Sequence, residues 1–384
     1  ISFLYLSETY LTIFLYKGGE GRLDPNLSYK EKLLKNQTGE NYDKRTKIQF
    51  YEDLKVLNKN ASVTIEPFFL SSENFFYLGG VSKVQTVDCN ENGYYSTYQS
   101  DRYGFNNIDT EWDQQEIDFF LIGDSFVHGS CVNRPDDIAS VLRNLTQNPI
   151  LNLGYRGNGP LTQYATLREY LPKKTKNIIW FYFEENDLSD LKSEIKNQVL
   201  LKYLTDKKFS NNLKFKQKQV DQALNSKIKN DISNKKELDK YWTSYYSKKK
   251  KILRFIRLNQ FKRFVISIKK DKSKTNDDLA LSKLEEVLIA SKQLAYENNS
   301  KFYFVYLGAY HRYKSPFNSH RYKENYSKII EIVDNLDIPI IDTTKEFTSE
   351  TKDPLIYFPF RKYGHYNVEG YKKLSEIIFK KTQK

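Results

Sequence analysis

Methionine is missing from all 384 residues, position 1 included. Residues are therefore expected to be missing upstream of Ile1. Cysteine is almost as scarce: Cys89 and Cys131 stand far apart, with no C-x-x-C, which excludes zinc ribbons and thioredoxin-like redox motifs. One disulfide is open to an exported chain, but two cysteines make no disulfide framework. Histidine is limited to His128, His311, His320 and His365. Without H-E-x-x-H or G-x-x-x-x-G-K-[ST], zinc proteases and P-loop NTPases are poor readings. No metal site and no cofactor is expected.

Aromatic rings, by contrast, are plentiful. Tyr 30, Phe 25 and Trp 3 exclude a mainly disordered chain, because disorder goes with few aromatics. The length allows two or three domains, or one large α/β domain with insertions. The formal net charge is +13, and its location decides its meaning.

Residues 1–16, ISFLYLSETYLTIFLY, are apolar apart from Glu8. A full membrane span needs about 20 apolar residues. The run reads as the end of a membrane anchor or uncleaved export signal; the alternative is a buried N-terminal helix or strand. Residues 17–112 alternate polar stretches with short aromatic runs. They read as an extension of short strands and loops that packs on the main domain, with one helix at 48–58.

From residue 113 to 384 the pattern is regular. Short apolar runs at 117–123, 149–154, 177–183, 301–307 and 338–342 read as buried strands. Helical stretches separate them, at 135–147, 160–171, 279–297, 323–335 and 367–381. This alternation predicts an α/β fold: a flavodoxin-like three-layer α/β/α sandwich around a mainly parallel five-stranded sheet. Ligands in such sheets bind beyond the carboxyl ends of the strands. Residues 188–278 interrupt the alternation. They hold no Pro or Gly and predict a largely helical insertion. Within it, 241–270 carries ten Lys or Arg and no acid, with apolar residues at three-to-four spacing. It reads as a basic amphipathic helix for an anionic membrane surface or polyanionic glycan, or as a solvated face. No nucleic-acid module accompanies the charge, so nucleic acid is not an expected partner.

Three strand ends and the approach to the last helix carry chemistry. The first runs into Gly123-Asp124-Ser125, where a serine at a strand-to-helix turn has its N–H at a helix N-terminus. The second leads into a loop containing Gly154, Gly157, Asn158 and Gly159, where the backbone can approach a ligand closely. The third ends in Glu184-Glu185-Asn186-Asp187, where Asn186 could offer an amide to an oxyanion or cap a helix. Near the C-terminus, His365 precedes the last helix and can return to Ser125 as a general base.

In order and placement, these segments resemble the SGNH (GDSL) hydrolase superfamily over roughly residues 116–384. SDRYGFNN, residues 100–107, resembles what precedes the GDS block in a bacterial membrane-anchored subgroup. The resemblance implies a serine esterase. Ser125 would be the nucleophile, His365 the base, and Gly157 and Asn186 oxyanion donors with the Ser125 N–H. Asp124, Asn158, His311 and Asn367 are candidates for substrate contact. The implied substrate is an acyl ester, such as acetyl, of a carbohydrate or lipid, met outside the cytoplasm. The alternatives are an O-acyltransferase on envelope polysaccharide and a catalytically weak glycan-binding protein. Two departures matter. Glu184 replaces the glycine of the family's G-x-N-D. The Asp expected two or three residues before the His is absent, those positions being Tyr363 and Lys362. A backbone carbonyl could hold His365 instead, a carboxylate from elsewhere such as Asp353 could substitute, or activity could be weak.

Overall fold

The computed structural model describes residues 27–67, 69–70, 75–245, 275–314 and 316–383, besides isolated residues 4, 5, 7 and 258. The expected anchor at 1–16 and most of the basic stretch at 241–270 lie outside the described residues. Among those described, no helix is long and apolar enough to cross a membrane.

Five short strands come first: β1 (Ser62–Val63), β2 (Phe69–Leu70), β3 (Phe75–Phe76), β4 (Gln85–Val87) and β5 (Thr97–Gln99). Then come β6 (Ile117–Ile122), β7 (Ile150–Asn152), β8 (Thr175–Phe183), β9 (Lys301–Leu307) and β10 (Ile340–Asp342). These last five form one sheet in the order β10-β9-β8-β6-β7, parallel at every pairing. The expected α/β class and five-stranded parallel sheet are therefore present.

The strands read as continuous apolar runs because helices cover both faces. Successive side chains alternate between faces. Phe120, Ile122, Ile178, Trp180, Tyr182, Phe304 and Tyr306 enter one core, under helices Pro160–Tyr170, Asp187–Glu194 and Thr275–Glu297. Phe119, Leu121, Ile179, Phe181, Val305 and Leu307 enter the other, under helices Ile138–Thr146 and Val368–Thr382. Trp180 is fully buried, and truncating it to Ala would cost about 3–5 kcal/mol. The insertion is helical where described, with helices Asp187–Glu194, Gln198–Thr205 and Gln217–Tyr245.

The N-terminal extension holds the β1-β4-β5 sheet and the β2-β3 hairpin. The SDRYGFNN segment clasps it to the main sheet. The buried Asp101 carboxylate accepts from Tyr103 N (2.8 Å), Phe105 N (2.9 Å), Asn107 Nδ2 (2.9 Å) and Trp112 Nε1 (2.7 Å). Asn107 then exchanges hydrogen bonds with the backbone of Asn152 on β7, at 2.7 and 2.9 Å. Gly104 turns with φ +86°, and a Cβ there would lie 1.9 Å from Gly80 O, so only glycine closes the turn.

Candidate active site

β6 ends at Ile122, and Ser125 opens the short helix Ser125–His128. Asp124 caps that helix, its Oδ1 accepting from Phe126 N at 2.9 Å. As the first helical residue, Ser125 has an N–H without an acceptor inside the helix. His365 arrives from the loop before helix Val368–Thr382, and its Nε2 stands 2.8 Å from Ser125 Oγ. The Phe126 ring packs against the imidazole, centroids 4.9 Å apart.

On the far side of His365 stands Glu91, from the N-terminal extension. Its Oε1 is 3.1 Å from His365 Nδ1, and its Oε2 accepts the His365 backbone N–H at 2.6 Å. Neither a backbone carbonyl nor Asp353 fills this place. Asp353 accepts from Leu355 N at 3.2 Å and pairs with Arg361 at 2.5 Å. Burial pulls the His365 pKa down, but the charge and hydrogen bond of Glu91 outweigh it and hold the pKa above its ordinary value. Burial raises the Glu91 carboxyl, yet the facing imidazole holds it below its ordinary range.

Glu91 is held by what surrounds it. Cys89, two residues earlier, is disulfide-bonded to Cys131, six residues after Ser125. Asn92 Nδ2 donates to Cys131 O (2.9 Å), the Cys131 N–H to Asp88 Oδ2 (3.2 Å), and the Thr97 N–H to Asn133 Oδ1 (2.9 Å). Cys131 Sγ lies 3.8 Å from His365 Nδ1. With the two sulfurs joined to each other, this cluster offers no thiolate to a metal. A Cβ at Gly364 would lie 2.5 Å from Glu91 Oε2, so the glycine lets the carboxylate approach. Residue type and spacing gave no pointer to Glu91; only its place two residues from one of two cysteines marked the segment.

The remaining sequence candidates separate. A cavity of about 210 Å³ is lined by Glu91, Asp124, Ser125, Asn186, Tyr363 and His365, among others. Asn186 Nδ2 donates to Asp190 Oδ2 at 2.8 Å. The same amide also hydrogen-bonds the Asp124 carboxyl, which lines the cavity. Burial pushes the Asp124 carboxyl up to about 6. Gly157 turns with φ +77°, its Cβ direction facing Glu66 at 3.1 Å, and it is not among the residues lining this cavity. Asn158 is fully buried, and its amide atoms have no hydrogen-bond partner among the described residues. His311 stacks on Tyr363 with centroids 5.2 Å apart and is not among the residues lining the cavity. Asn367, expected at the substrate, is used internally instead. It caps the last helix through Gly370 N (2.9 Å) and donates to Ile356 O (2.7 Å).

Glu184, the departure from the family glycine, turns away from the cavity. Its carboxylate accepts from Ala309 N (2.7 Å), Tyr306 Oη (3.0 Å) and Arg312 Nε (2.9 Å), tying the end of β8 to the segment after β9. Its side chain is 1% exposed. Arg312 is occupied by this pair.

No protein-family model matches the chain, and no curated protein matches it. Among solved structures, its fold is similar to that of a G-D-S-L family protein from Desulfitobacterium hafniense DCB-2, at 13% identity, covering 69% of this chain and 99% of that one, with a TM-score of 0.34. It is also similar to a lipase/acylhydrolase from Enterococcus faecalis, at 12% identity, 70% and 96% coverage and a TM-score of 0.38. A third is the acetyl xylan esterase AlAXEase, at 10% identity, 69% and 98% coverage and a TM-score of 0.36.

Proposed function

We propose that this chain is a serine ester hydrolase of SGNH type that works through Ser125, His365 and Glu91. One observation carries the reading: Ser125 Oγ, the His365 ring and the Glu91 carboxylate form one unbroken line, at 2.8 and 3.1 Å. Glu91 accepts a hydrogen bond from the His365 Nδ1–H, which keeps the proton on Nδ1 and leaves Nε2 unprotonated and facing the serine. His365 then takes the Ser125 proton as Oγ attacks the ester carbonyl. The bond to the alcohol breaks, and the alcohol leaves with the proton returned by His365. Water, activated by the same imidazole, hydrolyses the acyl-enzyme.

The Ser125 N–H and the Asn186 amide, which would turn from Asp124 to the ester oxygen, are the oxyanion donors that border the cavity. Gly157 can contribute only if its loop approaches the ester. The 210 Å³ cavity is smaller than ordinary ligand pockets, which favours a short acyl group such as acetyl. Glu91 also answers the missing Asp, which was the ground for a binding-only reading. The Cys89–Cys131 disulfide supports action outside the cytoplasm, where disulfides persist. A Ser125→Ala variant is expected to lose p-nitrophenyl acetate hydrolysis and labelling by a fluorophosphonate probe. Unchanged turnover in that variant would overturn the proposal.

A further inference from the structure

A second cavity, of about 570 Å³, lies on the other side of the segment that carries Glu91. Cys89 and Asn90 line it, whereas Glu91 lines the Ser125 cavity, so three consecutive residues separate the two. Its walls come from the N-terminal extension, the loop after β7 and helix Gln217–Tyr245. None of its lining residues lines the Ser125 cavity.

Cations outnumber acids on this lining. Lys227 and Asp231 pair with each other at 2.5 Å. That leaves Lys47, Arg156 and Lys235 against Glu66 and Asp88. Asp88 is buried and already shared: it accepts from Thr64 Oγ1 (2.9 Å) and Cys131 N (3.2 Å), and reaches Arg156 Nη1 only at 3.4 Å. Arg156 carries five N–H donors in a planar fork, and this long contact is its one hydrogen bond among the described residues. Lys47 Nζ donates to Thr64 Oγ1 (2.7 Å) and Thr64 O (3.1 Å), which leaves one of its three protons unused. Facing these donors are apolar walls from Val63, Ile65 and Ile232. The volume lies within the range of ordinary ligand sites.

The geometry points to a subsite for a carboxylate-bearing sugar residue in the alcohol portion of the ester, held by the Arg156 fork and by Lys47, with Lys235 nearby. The planar fork suits a carboxylate in bidentate contact. With Lys47 protonated, the lining carries one excess positive charge, which matches a monoanion better than a phosphate dianion. The apolar walls suit the C–H faces of a sugar ring. Arg156 also connects the two cavities: its charge is felt at both Glu91 and His365, and the residue after it is Gly157. Lys47 supports the assignment. Burial brings its pKa down to about 7, with Arg156 and Lys235 opposing its charge and Asp88 and Glu66 favouring it. A bound carboxylate would pull that pKa back up, so affinity should rise as pH falls through about 7.

The catalytic part of this subsite rests on the esterase reading, but its ligand binding does not, and the experiment separates them. Trigalacturonate and neutral xylotriose are titrated by calorimetry into full-length Ser125→Ala protein at about pH 6 and pH 8. The expected result is trigalacturonate binding at least about tenfold tighter than xylotriose, stronger at the lower pH, and weakened about tenfold in Lys47→Gln and severalfold in Lys235→Gln. Lys235 is exposed, so its substitution does not threaten the fold. Equal or absent binding of the two sugars, or trigalacturonate affinity unmoved in both lysine variants, overturns the subsite. Selective binding alongside no ester turnover by the wild-type protein would overturn the esterase reading and leave the subsite standing.

Discussion

Replacing Glu91 with Gln tests the centre where its geometry is most demanding. The carboxylate accepts two hydrogen bonds from one residue, 3.1 Å from His365 Nδ1 and 2.6 Å from the His365 backbone N–H. Gln keeps the shape but has one acceptor oxygen and one NH₂. The backbone N–H can only donate, so it claims the oxygen. The NH₂ then faces Nδ1 and requires that nitrogen to be unprotonated. The proton moves to Nε2, the atom that must receive the Ser125 proton. In a Ser-His-Asp centre this wrong tautomer costs ~10⁴ in kcat. At 1.36 kcal/mol per decade, that is about 5.4 kcal/mol of transition-state stabilisation. The longer Gln side chain can rotate away where the amide of an Asp→Asn change in a tighter site cannot. A loss of ~10²–10⁴ in kcat is therefore expected, about 2.7–5.4 kcal/mol.

The assay is kcat and kcat/KM for p-nitrophenyl acetate across about pH 5 to 9. Only the neutral imidazole accepts a proton, so wild-type activity should climb with pH through a His365 pKa above the ordinary 6.5. Without the Glu91 charge, burial dominates, and the limb should move to lower pH. The Ser125 hydroxyl is untouched, so circular dichroism and substrate saturation separate lost catalysis from lost fold. A variant within ~3-fold of wild type with an unmoved limb would refute the role of Glu91.

Asn186→Ala removes a donor that borders the cavity and should lower kcat by ~10²–10³ with little change in KM. Replacing Cys89 and Cys131 together by Ala opens a link across 42 residues, expected to cost about 4 kcal/mol in urea unfolding, and frees the Glu91 segment. Reductant should therefore lower wild-type esterase activity, and full activity in reductant would show that Glu91 needs no tether. Arg312→Met leaves the buried Glu184 without its cation and should destabilise the fold by ~3–5 kcal/mol, read as a falling Tm. The Glu91–His365 pair also makes stability depend on pH. The lowered Glu91 pKa gives a contribution lost as pH falls through its folded value, and the raised His365 pKa one lost as pH rises through its own. Glu91→Gln should flatten both arms of the Tm–pH curve.

The sequence by itself determined the main sheet. Each of its five strands is a local apolar run, and a strand buried on both faces needs no distant information to announce itself. Ser125 and His365 were legible for a related reason: short motifs at strand and helix ends keep their order wherever the chain folds. Helical content in the insertion was legible from the lack of Pro and Gly over 188–278. What tertiary structure decided was the partner of His365. Glu91 is 274 residues from it in the chain, and no spacing links the two. The contact exists because the Asp101 and Asn107 hydrogen bonds dock the extension on β7, and because the Cys89–Cys131 disulfide fixes the segment beside Ser125. Asn367 shows the converse. Its place in the motif suggested substrate, but its donors and acceptor were taken by the nearest unsatisfied backbone groups, at the end of its own helix and the turn before it. Local pattern specified the elements and the turn that carries Ser125; which carboxylate meets His365 was decided by packing between segments distant in the chain.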